Sequence, residues 1–574
     1  MFNKIKKIIR LLNNREKNKF KLLIFLMFFA VIFETLSIGI IIPLINYFVY
    51  DSTFLLQSLN LENFLLTTNL SDENILVFIL LSIVAIFLIK NIYMAFYYWF
   101  ENKFAYKVRY DIGVRLFQKY LNSPYTFHIE NNSSNLISKI EQETANYGAG
   151  LMFVNILFVE ILMLFGIAIF LFLIRPFETL FIVLVSLPLS LIFYLMVKNV
   201  VSRLGKKREV AQKGKIKSMQ QGLGAIKDII IYKAQKNFIE IFHSDSNKMA
   251  DVGMKTMFLL KLPKIWFELT SVIIITLLIF LLSSDDSGTK AVMSTMGIFL
   301  VAFIKMIPSI NKILISLQNI RYSEAACDSL YVDLKKLDTT QSLKTEIKQI
   351  DFQNEIRFEN VFFSHSNKNN PTLENINILI KKNEFIGIQG ETGSGKSTFV
   401  DLLVGLITPT SGKIFSDTVD IQKNIFSWRK NFGYVPQNLY LLDDTISNNI
   451  AIGQKNEEIS KLKVDNSIKQ SQLSKFISSL ENGLQTMVGE RGVKISGGEK
   501  QRIGIARALY NNPNILIFDE GTSALDSETE AKILKVLLQL KGKKTIIFIS
   551  HKKSNLDFCD KRFKIENKQI TQIA

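Results

Sequence analysis

The stretch GETGSGKS, residues 390–397, decides the fold of the C-terminal part of this 574-residue sequence. It matches the phosphate-binding pattern G-x-x-x-x-G-K-[ST], and it lies between a strand-like run at 385–389 and a helical run at 398–405, as the pattern requires. The glycines let backbone N–H groups face phosphate oxygens, Lys396 supplies a positive charge, and the Ser397 hydroxyl can bind Mg²⁺. The residues predicted to bind the nucleotide here are Gly390, Glu391, Thr392, Gly393, Ser394, Gly395, Lys396, Ser397 and Thr398.

A second motif, ILIFDE at 515–520, places two carboxylates directly after four apolar residues. A buried strand would bring Asp519 to the Mg²⁺ ion, and Glu520 would orient and deprotonate the water that attacks the γ-phosphate of ATP. Two acidic residues at a strand end can also form ordinary surface hydrogen bonds, but that interpretation is weaker beside a P-loop. The two motifs together predict an ATPase that uses ATP and Mg²⁺.

The sequence from about residue 350 alternates short β-branched runs with amphipathic segments, for example KIFSD, FGYVPQN and TIIFIS. Strands interleaved with helices predict an α/β domain with a mainly parallel sheet. We expect this domain at 350–574, a charged linker at 321–349, and a separate membrane domain at 1–320.

Hydrophobic residues make up 48% of the chain, and they are concentrated before residue 319. Apolar runs long enough to cross a bilayer, which takes about 20 residues, lie at 22–47, 75–100, 151–174, 180–201, 265–282 and 292–317. The basic segment before the first run is amphipathic, and we expect it to lie on the cytoplasmic leaflet. The external loop at 53–66 is either a short surface helix or an ordinary packed loop.

The net charge of +18 fits either a nucleic-acid-binding surface or a membrane protein with basic cytoplasmic loops. Lys and Arg are absent between Lys21 and Lys90, whereas 101–148 and 198–264 are rich in both, which favours the membrane protein with both termini in the cytoplasm. No nucleic-acid motif rivals this interpretation. The two cysteines, Cys327 and Cys559, are far apart and are expected to stay reduced.

Between the two phosphate-site motifs lies ISGGEKQR, residues 495–502, which resembles the signature sequence of ATP-binding cassette (ABC) ATPases. The other motifs of that family occur in the same order, with Gln437 in VPQN, Asp526 in SALD and His551 in FISH. The resemblance covers the whole chain. It implies the type I ABC exporter fold, in which a polytopic α-helical membrane domain of six transmembrane helices is joined to an α/β P-loop ATPase domain.

The resemblance also implies roles for individual residues. Glu520, His551 and Gln437 would be catalytic, and the metal would be bound by Ser397, Gln437 and Asp519. Contacts to the ATP held by a second, head-to-tail protomer are implied for Ser496, Gly497, Gly498, Glu499 and Asp526. Because the chain has one membrane domain and one cassette, it resembles a half-transporter. A homodimer would have two competent ATP sites, since Glu520 and His551 are both present.

Three positions depart from the usual pattern of the family. His365, in VFFSH, stands where an aromatic residue usually stacks on adenine. Imidazole can stack too, but its contact should be weaker, so Phe363 is the alternative. Glu499 replaces the usual Gln of the signature and Gly521 replaces the usual Ala after Glu520; we expect both to be tolerated.

Lysines interrupt or adjoin the apolar runs at Lys90, Lys264 and Lys305. A charge at mid-membrane costs several kcal/mol on insertion scales and usually faces a cavity. In an exporter fold these lysines are expected to line the central cavity and bind the substrate. The alternative is that they form structural ion pairs with Glu34, Glu160 or Glu268.

A basic cavity suits an amphiphile with an anionic headgroup. The sequence resembles bacterial lipid-linked oligosaccharide flippases in its first helix, at 33–45, and in the basic residues of the cavity. It therefore favours transport of a polyprenyl-diphosphate-linked oligosaccharide across the bacterial inner membrane. The alternatives are export of lipid A, of hydrophobic or anionic peptides or of drugs, and an ATPase that regulates without transporting.

Overall fold

The computed structural model describes residues 2–50, 72–283, 289–338, 350–364, 371–520, 526–550 and 556–573. The chain forms two compact units that divide mainly between residues 343 and 344. The bounds expected from the sequence, with a linker at 321–349, remain predictions. Four predictions fall outside the described residues: the external helix at 53–66, His365, Gly521 and His551.

The first unit, called the membrane unit here, consists of helices joined by short turns over its described residues. Its helices are α1 (Phe2–Arg10), α2 (Asn14–Gly39), α3 (Ile41–Tyr50), α4 (Asp72–Leu121), α5 (Tyr125–Glu130), α6 (Ser133–Ser138), α7 (Thr144–Ile174), α8 (Pro176–Gly224), α9 (Ile226–Ile231), α10 (Gln235–Ser283), α11 (Thr289–Tyr322) and α12 (Glu324–Asp338), with a π-helical turn, Lys139–Glu143, between α6 and α7.

Six stretches of these helices are long and apolar enough to cross a membrane. They are Asn14–Ser37, Leu76–Leu121, Ser133–Ile174, Pro176–Gly224, Gln235–Phe280 and Thr295–Tyr322. A helix satisfies its own backbone hydrogen bonds, which is the condition for crossing hydrocarbon. The six predicted crossings are therefore confirmed. Four of the stretches have 42 to 49 residues, about twice the ~20 that a bilayer needs, so these helices continue beyond it.

The core of the membrane unit lies where α2, α4, α7 and α11 pack together. Each of these helices contributes a side chain that is at most 1% exposed, namely Leu23, Tyr97, Val154 and Phe299. The long helices α8 and α10 pack along each other and share a smaller cluster with α11. Apolar side chains thus hold the crossings together while other apolar faces remain for lipid or a partner.

The N-terminal helix α1 differs from the expectation of a helix lying on the leaflet. Its apolar side chains Ile5 and Ile8 are 8% and 1% exposed and belong to the protein core. The Tyr147 hydroxyl of α7 donates a hydrogen bond to the Ile8 carbonyl at 2.9 Å. On its polar side, Lys4 forms an ion pair with Glu324 of α12. Protein, rather than lipid, covers the apolar face, because α7 and α12 provide a surface that matches it.

The second unit, called the cassette here, contains two sheets. Its strands are β1 (Glu355–Phe363), β2 (Leu373–Lys381), β3 (Phe385–Gly390), β4 (Ser411–Ser416), β5 (Val419–Asp420), β6 (Phe432–Val435), β7 (Ile515–Asp519), β8 (Thr545–Ile549), β9 (Lys561–Glu566) and β10 (Gln569–Gln572). Its α-helices are α13 (Lys396–Val404), α14 (Ile425–Arg429), α15 (Ile446–Ile450), α16 (Lys461–Gln470), α17 (Ser474–Ser479), α18 (Gly497–Leu509) and α19 (Ser527–Leu540).

The larger sheet has the order β10-β9-β3-β8-β7-β6, and all of its pairs are parallel except β9 with β10. This confirms the predicted α/β domain with a mainly parallel sheet. Every residue of β7 and β8 is buried, which explains their unbroken apolar sequences. Ligands of such sheets bind at the carboxyl ends of the strands, and the P-loop and both carboxylates follow β3 and β7 at that edge.

The smaller sheet is antiparallel and has the order β2-β1-β4-β5. Apolar residues of β1 and β2 face the P-loop helix; Phe358, for example, stacks on Phe399 of α13 with ring centroids 5.1 Å apart. This contact fixes α13, and with it the P-loop, against the rest of the cassette.

Candidate functional site

The P-loop forms a tight turn between β3 and α13. Gly393 and Gly395 have φ angles of 85° and 107°, which side chains rarely tolerate. A Cβ at Gly395 would also lie 2.9 Å from Leu373 Cδ2. The Lys396 ammonium donates to the carbonyls of Gly390 at 2.7 Å and of Glu391 at 2.9 Å. The lysine thus closes the loop on itself, at the place where phosphate oxygens would become its partners.

Burial lowers the pKa of Lys396, while the nearby carboxylates of Glu520 and Asp519 act in the opposite direction and raise it. The lysine is 8% exposed, so its charge acts in a region with little water. A charge held there attracts a phosphate more strongly than it would at the surface.

The carboxylates of Asp519, the last residue of β7, and of Glu520, which follows it, each accept a hydrogen bond from the β6 region of the chain. The Tyr434 hydroxyl donates to Asp519 Oδ2 at 3.3 Å, and Gln437 Nε2 donates to Glu520 Oε2 at 2.5 Å. Burial raises the pKa of Asp519. Burial also raises the pKa of Asp401, in α13, to about 6, and the charge of Asp519 adds to that effect. Asp519 therefore lies in an acidic site that a cation would stabilise.

The groups of the two motifs line one cavity of ≈ 300 Å³. Its lining residues are Thr372, Thr392, Gly393, Gly395, Lys396, Ser397, Thr398, Gln437, Asp519 and Glu520. Hydroxyls, an ammonium group and carboxylates in one small polar cavity fit a triphosphate with its Mg²⁺ ion. The structure thus brings together the P-loop, Gln437 and both carboxylates, as the sequence predicts. The roles of the individual residues stay predictions.

Tyr434 and Asp401 also belong to this site, although they were not among the predicted residues. Tyr434 lies three residues before Gln437, and Asp401 lies four residues after Ser397, one helical turn along α13. Both residues could have been predicted from the sequence, because each lies within four residues of a motif residue.

The signature residues lie away from this cavity, at the start of α18. Ser496 is the N-cap of that helix, and its hydroxyl accepts a hydrogen bond from the Glu499 N–H at 3.3 Å. In return, the Ser496 N–H donates to Glu499 Oε2 at 2.7 Å. Glu499 therefore completes a capping box, a role that the usual Gln of the family could also fill. Asp526 similarly caps α19, accepting from the Thr529 N–H at 2.9 Å, and this hydrogen bonding lowers the pKa of Asp526.

The membrane lysines form a second group of candidate residues. The Glu34 carboxylate binds both Lys90, at 2.7 Å, and Lys305, at 2.9 Å. Lys264 is exposed and lies in no ion pair among the described residues. Lys312, which was not among the predicted cavity residues, binds Glu160 at 2.7 Å. Placement in a cavity stays a prediction for Lys90, Lys264 and Lys305, and the ion pairs of two of them agree with the structural alternative as well.

Sequence comparisons agree with the two-unit fold. The family model of the ABC transporter transmembrane region matches residues 24–306, and the ABC transporter model matches residues 373–523. The ATP-dependent lipid A-core flippase of Blochmanniella pennsylvanica (strain BPEN) is 31% identical over 482 residues, covering 83% of this chain and 80% of the relative. The protein of the same name from Pasteurella multocida (strain Pm70) is 30% identical over 475 residues, covering 80% and 78%.

A structural comparison supports the same fold. A bacterial Atm1-family ABC exporter, solved with ATP bound, superposes with a TM-score of 0.78 over 97% of this chain and 95% of that one, at 21% identity. This chain joins six candidate crossings to one cassette that carries the P-loop, the signature sequence and two carboxylates. The chain therefore belongs to the ABC transporter family, as an exporter half-transporter whose cassette couples ATP hydrolysis to transport.

Proposed function

We propose that two copies of this chain form a homodimer that hydrolyses ATP to flip a lipid with a phosphorylated headgroup, of the lipid A type, across the bacterial inner membrane. The relatives named ATP-dependent lipid A-core flippase support this substrate over the polyprenyl-diphosphate oligosaccharide expected from the sequence. Both kinds of molecule combine apolar tails with phosphate, so basic membrane residues suit either of them.

The observation that carries the proposal is a group of three lysines within the membrane helices. Among the described residues, Lys90, Lys305 and Lys312 form ion pairs with the carboxylates of Glu34 and Glu160, and the buried Glu101 carboxylate interacts electrostatically with Lys312 without forming an ion pair. Charges away from bulk water are costly unless they are paired. The phosphate of a lipid headgroup would be a further partner for these lysines, whereas a cationic drug would be repelled by them.

The two sides of these ion pairs differ in exposure. The Glu34 and Glu160 side chains are 8% and 4% exposed, whereas those of Lys305 and Lys312 are 31% and 48% exposed. A spacing of seven residues places the two lysines on one face of α11, two turns apart. Lys305 and Lys312 would thus meet the headgroup, while Lys90, whose side chain is 7% exposed, neutralises Glu34.

Each cassette would bind ATP together with Mg²⁺. Ser397, Gln437 and Asp519 would hold the metal ion, which supplies positive charge against the phosphates when bound. Lys396 would exchange its two loop carbonyls for phosphate oxygens. Glu520 would orient and deprotonate the attacking water, with His551 completing the predicted catalytic set.

Closure of the dimer would place each signature sequence against the nucleotide of the partner. In a single chain Ser496 and Asp526 lie outside the cavity that the P-loop lines, which is the arrangement that a head-to-tail dimer requires. Nucleotide binding would then draw two chains together and change the packing of their membrane units. The basic segments 101–148 and 198–264 favour an orientation with both termini in the cytoplasm.

The decisive experiment measures ATP hydrolysis and flipping in proteoliposomes that contain lipid A, polyprenyl-diphosphate oligosaccharide, or neutral phospholipid alone. We expect lipid A to stimulate hydrolysis and to be moved in an ATP-dependent manner. Neutral lipid alone should do neither. If the oligosaccharide lipid, and not lipid A, stimulates hydrolysis and is flipped, the substrate is the polyprenyl-diphosphate oligosaccharide that the sequence favours.

Replacing Lys305 by Ala is expected to raise the lipid A concentration for half-maximal stimulation about tenfold or more, because a hydrogen bond to a charged group contributes about 1.5–3 kcal/mol. The measurement is the lipid-stimulated ATPase rate, with the basal rate as reference. The matched control is Lys255→Ala, which removes an exposed lysine paired with the equally exposed Asp251. An equal response of both variants to lipid A would contradict the assigned role of Lys305.

A further inference from the structure

The segment that leaves β6 touches both functional carboxylates of the cassette. Tyr434 holds Asp519 and Gln437, three residues later, holds Glu520. β6 and β7 are parallel neighbours, with Tyr434 paired to Ile517. Because side chains two residues apart share a face of a strand, Asp519 lies on the face of Ile517, beside the tyrosine ring. The contact with the phenol therefore follows from the register of the two strands.

We propose that Tyr434 is a positioning residue that holds the predicted metal ligand Asp519 in the orientation required for Mg²⁺. Asp519 is 8% exposed, so few water molecules are available to orient its carboxylate. A phenol donates one hydrogen bond without carrying charge. It orients the carboxylate and leaves the negative charge intact, whereas a lysine or arginine in the same place would compete with the cation.

The length of the hydrogen bond sets the size of the expected effect. At 3.3 Å it is longer than the usual range of about 2.5–3.0 Å for O–H···O. Long hydrogen bonds are common in sites without substrate, and they tighten in the reacting complex. Tyr434 is therefore expected to adjust metal affinity by a moderate factor rather than to switch the site on or off.

The same segment links metal binding to the catalytic carboxylate. Gln437 donates to Glu520 at 2.5 Å, and it is also a predicted metal ligand. If Gln437 moves from Glu520 to the ion, the carboxylate is released to bind water, while Tyr434 keeps Asp519 in place. The short segment from Tyr434 to Gln437 would then both hold Asp519 for the metal ion and release Glu520 for catalysis.

The test is Tyr434→Phe in the full-length protein, since this change removes the hydroxyl and keeps the buried ring. We expect the Mg²⁺ concentration for half-maximal ATP hydrolysis to rise about three- to tenfold, with nearly unchanged kcat at saturating Mg²⁺. Mn²⁺ binding, followed by electron paramagnetic resonance with a non-hydrolysable ATP analogue, should weaken by the same factor. Nucleotide binding in EDTA should not change. Tyr440→Phe, at a side chain exposed on the surface, is the matched control.

Two results would overturn the proposal. One is unchanged Mn²⁺ affinity in Tyr434→Phe. The other is a fall in kcat and in thermal stability without any shift in metal dependence, which would show that the hydroxyl only supports the fold.

Discussion

Glu520→Gln is expected to lower steady-state ATP hydrolysis by about 10²–10⁴-fold, the usual contribution of a general base. The amide keeps the size of the carboxylate and can still bond to Gln437, which lies 2.5 Å from Glu520. It cannot accept the proton of the attacking water. Nucleotide binding should persist, since Lys396 and the P-loop are unchanged, and the dimer should accumulate in its ATP-bound form.

The measurement combines phosphate release with the binding of a fluorescent ATP analogue. Glu457→Gln, at an exposed position outside the cavity, controls for the loss of one negative charge. Retention of more than a tenth of the wild-type rate by Glu520→Gln would assign the base to another group. Loss of nucleotide binding would instead indicate that Glu520 shapes the site.

Glu143→Gln is expected to lower the free energy of unfolding of the membrane unit by about 3–5 kcal/mol. Glu143 ends the π-helical turn before α7, and its carboxylate binds Arg208 Nη2 of α8 at 2.8 Å. The two side chains are 0% and 2% exposed. The guanidinium also lies over the ring of Tyr322, 5.2 Å from its centroid. Removing the carboxylate would leave a buried cation where three helices meet.

Thermal unfolding in detergent measures this effect. Asp251→Asn is the matched control, because it breaks an ion pair at 2.7 Å whose side chains are 53% and 47% exposed, and such pairs contribute about 0–1 kcal/mol. The double variant Glu143→Gln/Arg208→Met should recover much of the loss, since it removes the unpaired charge. Equal melting temperatures for Glu143→Gln and Asp251→Asn would show that the buried pair does not hold the helices together.

The two ion-pair systems of the membrane unit have different consequences for transport. Arg208 and Glu143 balance each other in full burial, so they stabilise the junction and leave no charge for a ligand. Lys305 shares Glu34 with Lys90 and is partly exposed. An ion pair therefore stabilises helix packing at Arg208 and Glu143, whereas the ion pairs around Glu34 are proposed to contribute to substrate binding.

The sequence by itself determined the two-unit organisation, the six crossings and the ATP site. The membrane crossings can be predicted from the sequence because a segment that crosses the hydrocarbon core must be a long apolar helix. The P-loop can be predicted because its pattern is short and local, with the strand before it and the helix after it close in sequence. Gln437, Asp519 and Glu520 were identified from motifs, and the parallel sheet then places their strands side by side.

Only the tertiary structure decided which side chains meet across long distances in the chain. Lys90 and Lys305 lie more than two hundred residues apart, yet both bind Glu34, and sequence patterns do not specify such a pairing. Tyr434 contacts Asp519 only because β6 and β7 are neighbours in a given register. From its sequence alone, the apolar face of α1 could pack equally well against a membrane or against protein. In the structure this face packs against α7 and α12, so it is covered by protein. Amphipathicity alone shows that a face must be buried, but it does not show what buries it.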